Sequence, residues 1–139
     1  MTWKFFYGPK TCALASRIAL EEAGAAYEPV RVDFASGEQT KPAYLAINPK
    51  GRVPALVTDR GVLTENVAIL AFVAQSRPDK NLAPLSDPFA FAEMQAFNAY
   101  LAAMVSGTLR RMSRKELSSV AQRWPRCLWA WFTCTVEAR

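Results

Sequence analysis

A proline at the mouth of a four-residue apolar run limits the folding of this chain more than any other feature. Val53-Pro54 runs straight into Ala55-Leu56-Val57-Thr58. A proline has no N–H for a sheet ladder, so a trans Pro54 would only weaken the strand it opens. A Val–Pro bond adopts cis at modest cost, and a cis Pro54 would turn the backbone outward to present main-chain donors and acceptors. Upstream, Asn48-Pro49-Lys50-Gly51-Arg52 is a Gly/Pro loop; downstream, Asp59-Arg60-Gly61 is a turn followed by Val62–Thr64. Glu65 and Asn66 then open a helix, whose first amides are free to hold a carboxylate. Taken alone this is a strand pair packed under a helix. With an anionic peptide as ligand it becomes a binding site.

The rest of the chain supplies a scaffold for that hairpin. Trp3–Tyr7 is an apolar, aromatic run ended by Gly8-Pro9 and reads as a buried strand. A helix is expected from about Cys12 to Ala23, with Leu14 and Ile18 one turn apart and Ala15, Ala19 and Ala23 on a second line. Gly24 is its stop. Tyr27–Val32 reads as a strand with Pro29 favouring an edge, and residues 33–47 as a loop with a short helix near Pro42–Leu45. Glu65 to about Gln75 is apolar on nearly every side and so is expected to lie against the sheet. The order β-α-β then β-β-α predicts an α/β domain over 1–76, with a right-handed parallel crossover and an antiparallel edge added by the hairpin.

Residues 77–87, with Pro78 and Pro84, read as a linker. Asp87-Pro88 is a strong helix start, and Met94, Phe97, Leu101 and Met104 follow on one apolar face, more readily core than substrate pocket.

Composition excludes several function classes. A chain of 139 residues is long enough for one domain with a core and short for two. It has no histidine, which removes His-based triads and His-ligated metals. Three cysteines without metal-ligand spacing suggest a reducing compartment and argue against a disulfide framework. No apolar run reaches membrane-spanning length and no signal-peptide pattern opens the chain, so a cytoplasmic protein without membrane insertion is expected. The net charge of +5 is unevenly placed: residues 1–106 carry ten basic and ten acidic side chains, and residues 107–139 seven and two. That tail also holds three of the four Trp and two of the three Cys.

The motifs in this order resemble the glutathione transferase family. Tyr7-Gly8-Pro9-Lys10-Thr11-Cys12-Ala13-Leu14 is similar to the first strand-to-helix turn of its bacterial, cysteine-containing class. Asn48 to Leu56 is similar to its cis-proline loop, and Leu63-Thr64-Glu65-Asn66 stands where the family has a Thr-Glu-Ser motif. The likeness extends from residue 3 to about 105. It implies a thioredoxin-like domain over 1–76, an all-helical domain after it, glutathione as co-substrate, small electrophiles as second substrates, and a homodimer. No metal is implied.

Site residues follow from the same resemblance. It implies that the backbone at Val53, beside Pro54, pairs with the cysteinyl part of glutathione by strand addition. It places the γ-glutamyl amine at Glu65, and the γ-glutamyl carboxylate at the helix start by Asn66. Asn66, in place of the usual serine, can still donate through its amide, so modified binding is expected. Arg52, Lys41 and Lys50 are candidates for the glycyl carboxylate, Lys50 being equally at home facing solvent. Cys12, at a helix N-terminus where free amides and the dipole favour a thiolate, is implied to meet the glutathione sulfur by a hydrogen bond or a mixed disulfide. Its bland alternative is a small inert core residue. Tyr7, at the end of a buried strand, reads as structural.

The pattern breaks at Ser106 and Gly107, where the family class has a histidine and a neighbouring lysine. Residues 88–139 therefore read as a truncated all-α C-terminal region with an atypical tail over 107–139. One reading of the tail is sequence translated out of an ancestral frame, which sequencing of the locus decides. A second is a nucleic-acid or membrane-surface contact, although charge runs are more often solvated faces. Two function classes stay open: a glutathione-conjugating enzyme with subsidiary glutathione-dependent disulfide reduction at Cys12, and a non-catalytic module or inactive remnant of the same fold.

Overall fold

A computed structural model describes residues 2–105, and the side chains of those up to 103. Expectations for Ser106, Gly107 and the basic tail fall outside that range. Four strands, β1 (Trp3–Tyr7), β2 (Tyr27–Arg31), β3 (Ala55–Thr58) and β4 (Gly61–Thr64), form one mixed sheet in the order β2-β1-β3-β4. β1 pairs parallel with β2, Trp3 opposite Tyr27, across helix α1 (Ala13–Glu22). β1 pairs antiparallel with β3, Phe5 opposite Leu56, and β3 with β4, Leu56 opposite Leu63. Pro29 sits on the edge strand β2, where its missing N–H leaves no gap inside the sheet.

Each helix forms where local chemistry permits and faces where burial demands. α1 ends as Gly24 takes φ +60°, a left-handed conformation that glycine adopts without a Cβ clash. Helix α3 (Asn66–Ser76) buries Asn66, Ile69, Leu70, Val73 and Ala74, the i, i+3, i+4, i+7, i+8 line of one helical face. Phe5, Leu20, Leu56, Ile69 and Val73 are fully inaccessible at the centre of this layer. Successive side chains of a strand point to opposite faces, so Phe6 looks the other way and meets Tyr44 of the short helix α2 (Pro42–Leu45) edge-on at 5.8 Å. Tyr7 is held structurally, stacked with Phe5 at 6.3 Å and covered by the Arg17 guanidinium at 5.0 Å.

Helix α4 (Pro88–Val105) follows a connection that includes a single 3₁₀ turn at Pro78–Lys80. Asp87 Oδ1 accepts from Phe89 N at 3.0 Å and Ala90 N at 3.1 Å, the cap anticipated from Asp87-Pro88. Met94 and Leu101 are buried in the same cluster as Ile69, Leu70 and Val73, with Phe97 packed beside them. The apolar face of α4 is thus core, as its spacing suggested. The architecture is a thioredoxin-like α/β unit followed by helical sequence.

Candidate functional site

The β1–α1 turn frees the Cys12 side chain from capping duty. Lys10 takes φ +55°, uncommon for a residue with a Cβ. Thr11 Oγ1 donates to Gly8 O at 2.7 Å and accepts from Ala13 N at 3.3 Å, so it satisfies an early amide of α1. Cys12, at the helix start, makes no capping bond; its sulfur points across to the cis-proline loop and donates to Val53 O at 3.8 Å. Burial is the largest influence on this thiol and pushes it above its ordinary value. A side-chain hydrogen bond from Asn66 and the residue's own backbone amide pull it down; the Glu65 charge pushes it up, and the Arg52 charge pulls it down. Desolvation thus works against the thiolate that the helix start favours, and it is the largest of the influences on this group.

Across from the sulfur, the loop before β3 is pinned by its own side chains. Arg52 O accepts from Tyr44 Oη at 2.7 Å and from Asn48 Nδ2 at 2.6 Å, while Asn48 Oδ1 receives Lys50 N at 3.2 Å. Gly51 has φ +61°, and a Cβ there would stand 3.0 Å from Gln39 O. The Val53–Pro54 bond is cis. Val53 N–H donates to no group among the described residues, and its carbonyl faces Cys12. Asn48, only 2% exposed, organises this loop, a role that its place in the Asn48-to-Leu56 motif does not by itself announce. A short amide side chain preceding Pro-Lys-Gly was the signal for such a turn.

The third part is the start of α3. Glu65 takes φ +72° and ψ +130°, and caps nothing with its side chain. Its exposed carboxylate instead pairs with Lys50 Nζ at 2.7 Å, so Lys50 faces neither solvent alone nor an open anion site. Ile69 N donates to Glu65 O at 3.1 Å, whereas the N–H groups of Asn66, Val67 and Ala68 have no acceptor among the described residues. Asn66 turns inward: it is 6% exposed, and its Oδ1 accepts from the fully buried Ser16 Oγ at 2.5 Å.

The structure therefore gathers Cys12, Val53, Pro54 and Asn66, with Glu65 and Arg52 close enough for their charges to act on the thiol. Lys41 lines a different depression, of about 540 Å³, with Phe6, Asp33, Ser36, Glu38 and Tyr44. Ser16 was missed by sequence reasoning. Its signal was a polar residue on the alanine-lined face of α1, one turn after Cys12. Among the described residues no cluster of acidic, Cys or His side chains could hold a metal ion, and no helix is long and apolar enough to cross a membrane.

Comparison with known proteins agrees with this geometry. Residues 1–75 match the family model described as glutathione S-transferase, N-terminal domain. Glutathione S-transferase GstA of Escherichia coli O157:H7 is 47% identical over 81 residues, covering 57% of this chain and 40% of that protein. Maleylacetoacetate isomerase of Pseudomonas aeruginosa is 32% identical over 123 residues, covering 86% and 56%. The chain thus spans roughly half the length of these curated relatives. A glutathione transferase homologue from Sulfitobacter, crystallised with bound glutathione, superposes with a TM-score of 0.68 at 38% identity, covering 99% of this chain and 63% of that one. With a cis proline facing a helix-start cysteine, and a family match over more than half its residues, this chain belongs to the glutathione S-transferase family.

Proposed function

We propose that the chain binds glutathione along the Val53–Pro54 edge and presents its thiol to small electrophiles. One observation carries the reading: the Val53 backbone faces Cys12 and leaves its N–H open, beside a helix start whose first three amides are also open among the described residues. A peptide-like ligand pairing with Val53 gains main-chain hydrogen bonds. The open α3 amides suit the γ-glutamyl carboxylate, and Glu65 suits the γ-glutamyl ammonium, displacing Lys50. Arg52 remains the candidate for the glycyl carboxylate. Lys41 is the less direct choice, given where its depression lies.

Cys12 as a thiol, the form its burial favours, suits one chemistry over another. As a thiol it donates a hydrogen bond to the glutathione sulfur and stabilises that sulfur as the thiolate. The glutathione thiolate then forms a carbon–sulfur bond as the electrophile's leaving group departs with its electron pair, the thiol proton having passed to solvent. Disulfide reduction through a Cys12 mixed disulfide requires the Cys12 thiolate, which burial opposes. Conjugation is the reading we adopt.

Calorimetric titration of the full chain with glutathione, with turnover of a general aryl halide, tests it. Saturable heat that Glu65→Ala abolishes or weakens, together with turnover, supports the enzyme. Heat without turnover leaves a glutathione-binding module, and no heat at millimolar ligand sinks the reading.

A further inference from the structure

Helix α1 touches both halves of the site through side chains one turn apart. Cys12 reaches the cis-proline loop, its sulfur 3.8 Å from Val53 O, and Ser16 reaches the start of α3, its Oγ donating to Asn66 Oδ1 at 2.5 Å. Residues four apart lie on one face of a helix, so a single face of α1 meets the two surfaces that the proposed ligand bridges. Of the two contacts only the second is short, and water does not compete for it: Ser16 is 0% exposed and Asn66 6%. A serine inside a helix can turn its hydroxyl back onto the carbonyl four residues earlier. Its one proton goes to α3 instead.

Asn66 is the first residue of α3, beside amides that have no acceptor among the described residues. Two side chains at this start carry oxygens able to fold back onto those amides, Glu65 and Asn66. Both are drawn off: Glu65 pairs with Lys50 Nζ at 2.7 Å, and Asn66 Oδ1 is taken by Ser16. We propose that Ser16 is a positioning residue for the ligand's carboxylate. Its buried hydroxyl holds the Asn66 side chain inward and seats the first turn of α3 against α1, so the α3 amides stay open and in register with the Val53 backbone. This inference rests on the glutathione reading above and adds what keeps the carboxylate's seat vacant. The bond joins two helices across 50 positions of chain, so no local preference of either helix replaces it. With alanine at position 16, Asn66 Oδ1 is left buried without its donor, a state that costs free energy. Turning the amide out to accept from its own helix start relieves that cost and sets it in competition with the incoming carboxylate.

Two measurements on the full chain test this, the first without ligand. The side-chain amide protons of Asn66, followed by NMR, should exchange with solvent about ten-fold faster in Ser16→Ala than in the wild type. The second is calorimetric titration with glutathione. Ser16→Ala should bind about ten-fold more weakly, and Ser16→Thr, which keeps the hydroxyl, within about two-fold of the wild type. On an Asn66→Ala background, Ser16→Ala should weaken binding no further. A merely structural serine predicts a lower melting temperature with exchange and affinity unmoved, and that result overturns the proposal. So does an Asn66→Ala background on which Ser16→Ala still weakens binding. If Ser16→Ala does not fold by circular dichroism, Ser16→Cys, of similar size with a weaker donor, takes its place, and wild-type exchange and affinity there overturn the proposal. No heat from the wild type sinks the glutathione reading and the carboxylate role with it, while the exchange rates still decide whether Ser16 holds Asn66.

Discussion

Helices α3 and α4 begin in opposite ways. At α4, Asp87 turns its carboxylate onto the amides of Phe89 and Ala90, and Pro88 occupies the first helical position, where no N–H is needed. At α3, Glu65 sits at φ +72°, makes no capping bond, and sends its carboxylate away to Lys50, while three amides stay open among the described residues. The first start is built for stability. The second forgoes a cap and holds a residue with a Cβ in a sparsely populated conformation, as sites that must receive a ligand commonly do. The contrast teaches where to look for function in a small α/β domain: at the helix whose beginning departs from its own best chemistry.

The strongest way to break this contrast is Glu65→Ala. It should weaken glutathione binding about 30-fold, corresponding to the loss of roughly 2 kcal/mol from a charge-assisted hydrogen bond. Calorimetry reads the effect, and an unchanged affinity would falsify the role given to Glu65. Asp87→Ala is the mirror experiment. It should reduce stability by about 1 kcal/mol in urea melts and leave glutathione affinity as it was. A change in affinity there would erase the distinction between the two helix starts.

Glu65→Gly sharpens the point, because it separates strain from ligation. Glycine accepts a positive φ, so this variant should melt later than Glu65→Ala by an amount on the order of 1 kcal/mol, yet bind glutathione no better. Equal melting of the two would mean that the backbone at 65 relaxes. A smaller effect lies at Lys50. Its ion pair with Glu65 is more than half exposed on both sides, so Lys50→Met should change stability by under about 1 kcal/mol. Glutathione affinity should rise by no more than a few-fold as Glu65 is freed, and a large fall would instead make Lys50 a ligand of the bound peptide.

The smallest expected effect is pH-linked. Cys12 titrates above its ordinary value of 9.0 in the folded protein, so above that pH the unfolded chain releases its proton first. The contribution of the neutral thiol to stability is complete below pH 9.0 and is lost as pH rises through the folded value. Denaturant midpoints should therefore fall more steeply with alkaline pH in the wild type than in Cys12→Ala. Parallel curves would show that burial does not hold the proton on Cys12.

Much of this molecule is readable residue by residue. The strand runs, the Gly24 stop, the Asp87-Pro88 start and the apolar face of α4 all depend on chemistry within one or two turns of chain, so short-range patterns sufficed. The residues left Val53-Pro54 open to either isomer, and the cis proline was legible through the resemblance of Asn48 to Leu56 to a cis-proline loop. The candidate site was legible in part: the motifs at Cys12, Val53 and Glu65 stand in the right order for their elements to meet.

What only the tertiary structure decided comes from approach and burial, which are properties of the packed chain. The 50 positions separating Ser16 from Asn66 close because α1 and α3 pack side by side on one face of the sheet, and neither residue alone announces the other. The setting of Cys12 depends on the same packing: its place at a helix start favours a thiolate, while desolvation, which is set by what surrounds a group, pushes the thiol the other way. Likewise Lys50 found Glu65 only once the loop before β3 and the start of α3 were brought edge to edge. Local chemistry chose the elements, and packing chose which of their polar groups face each other.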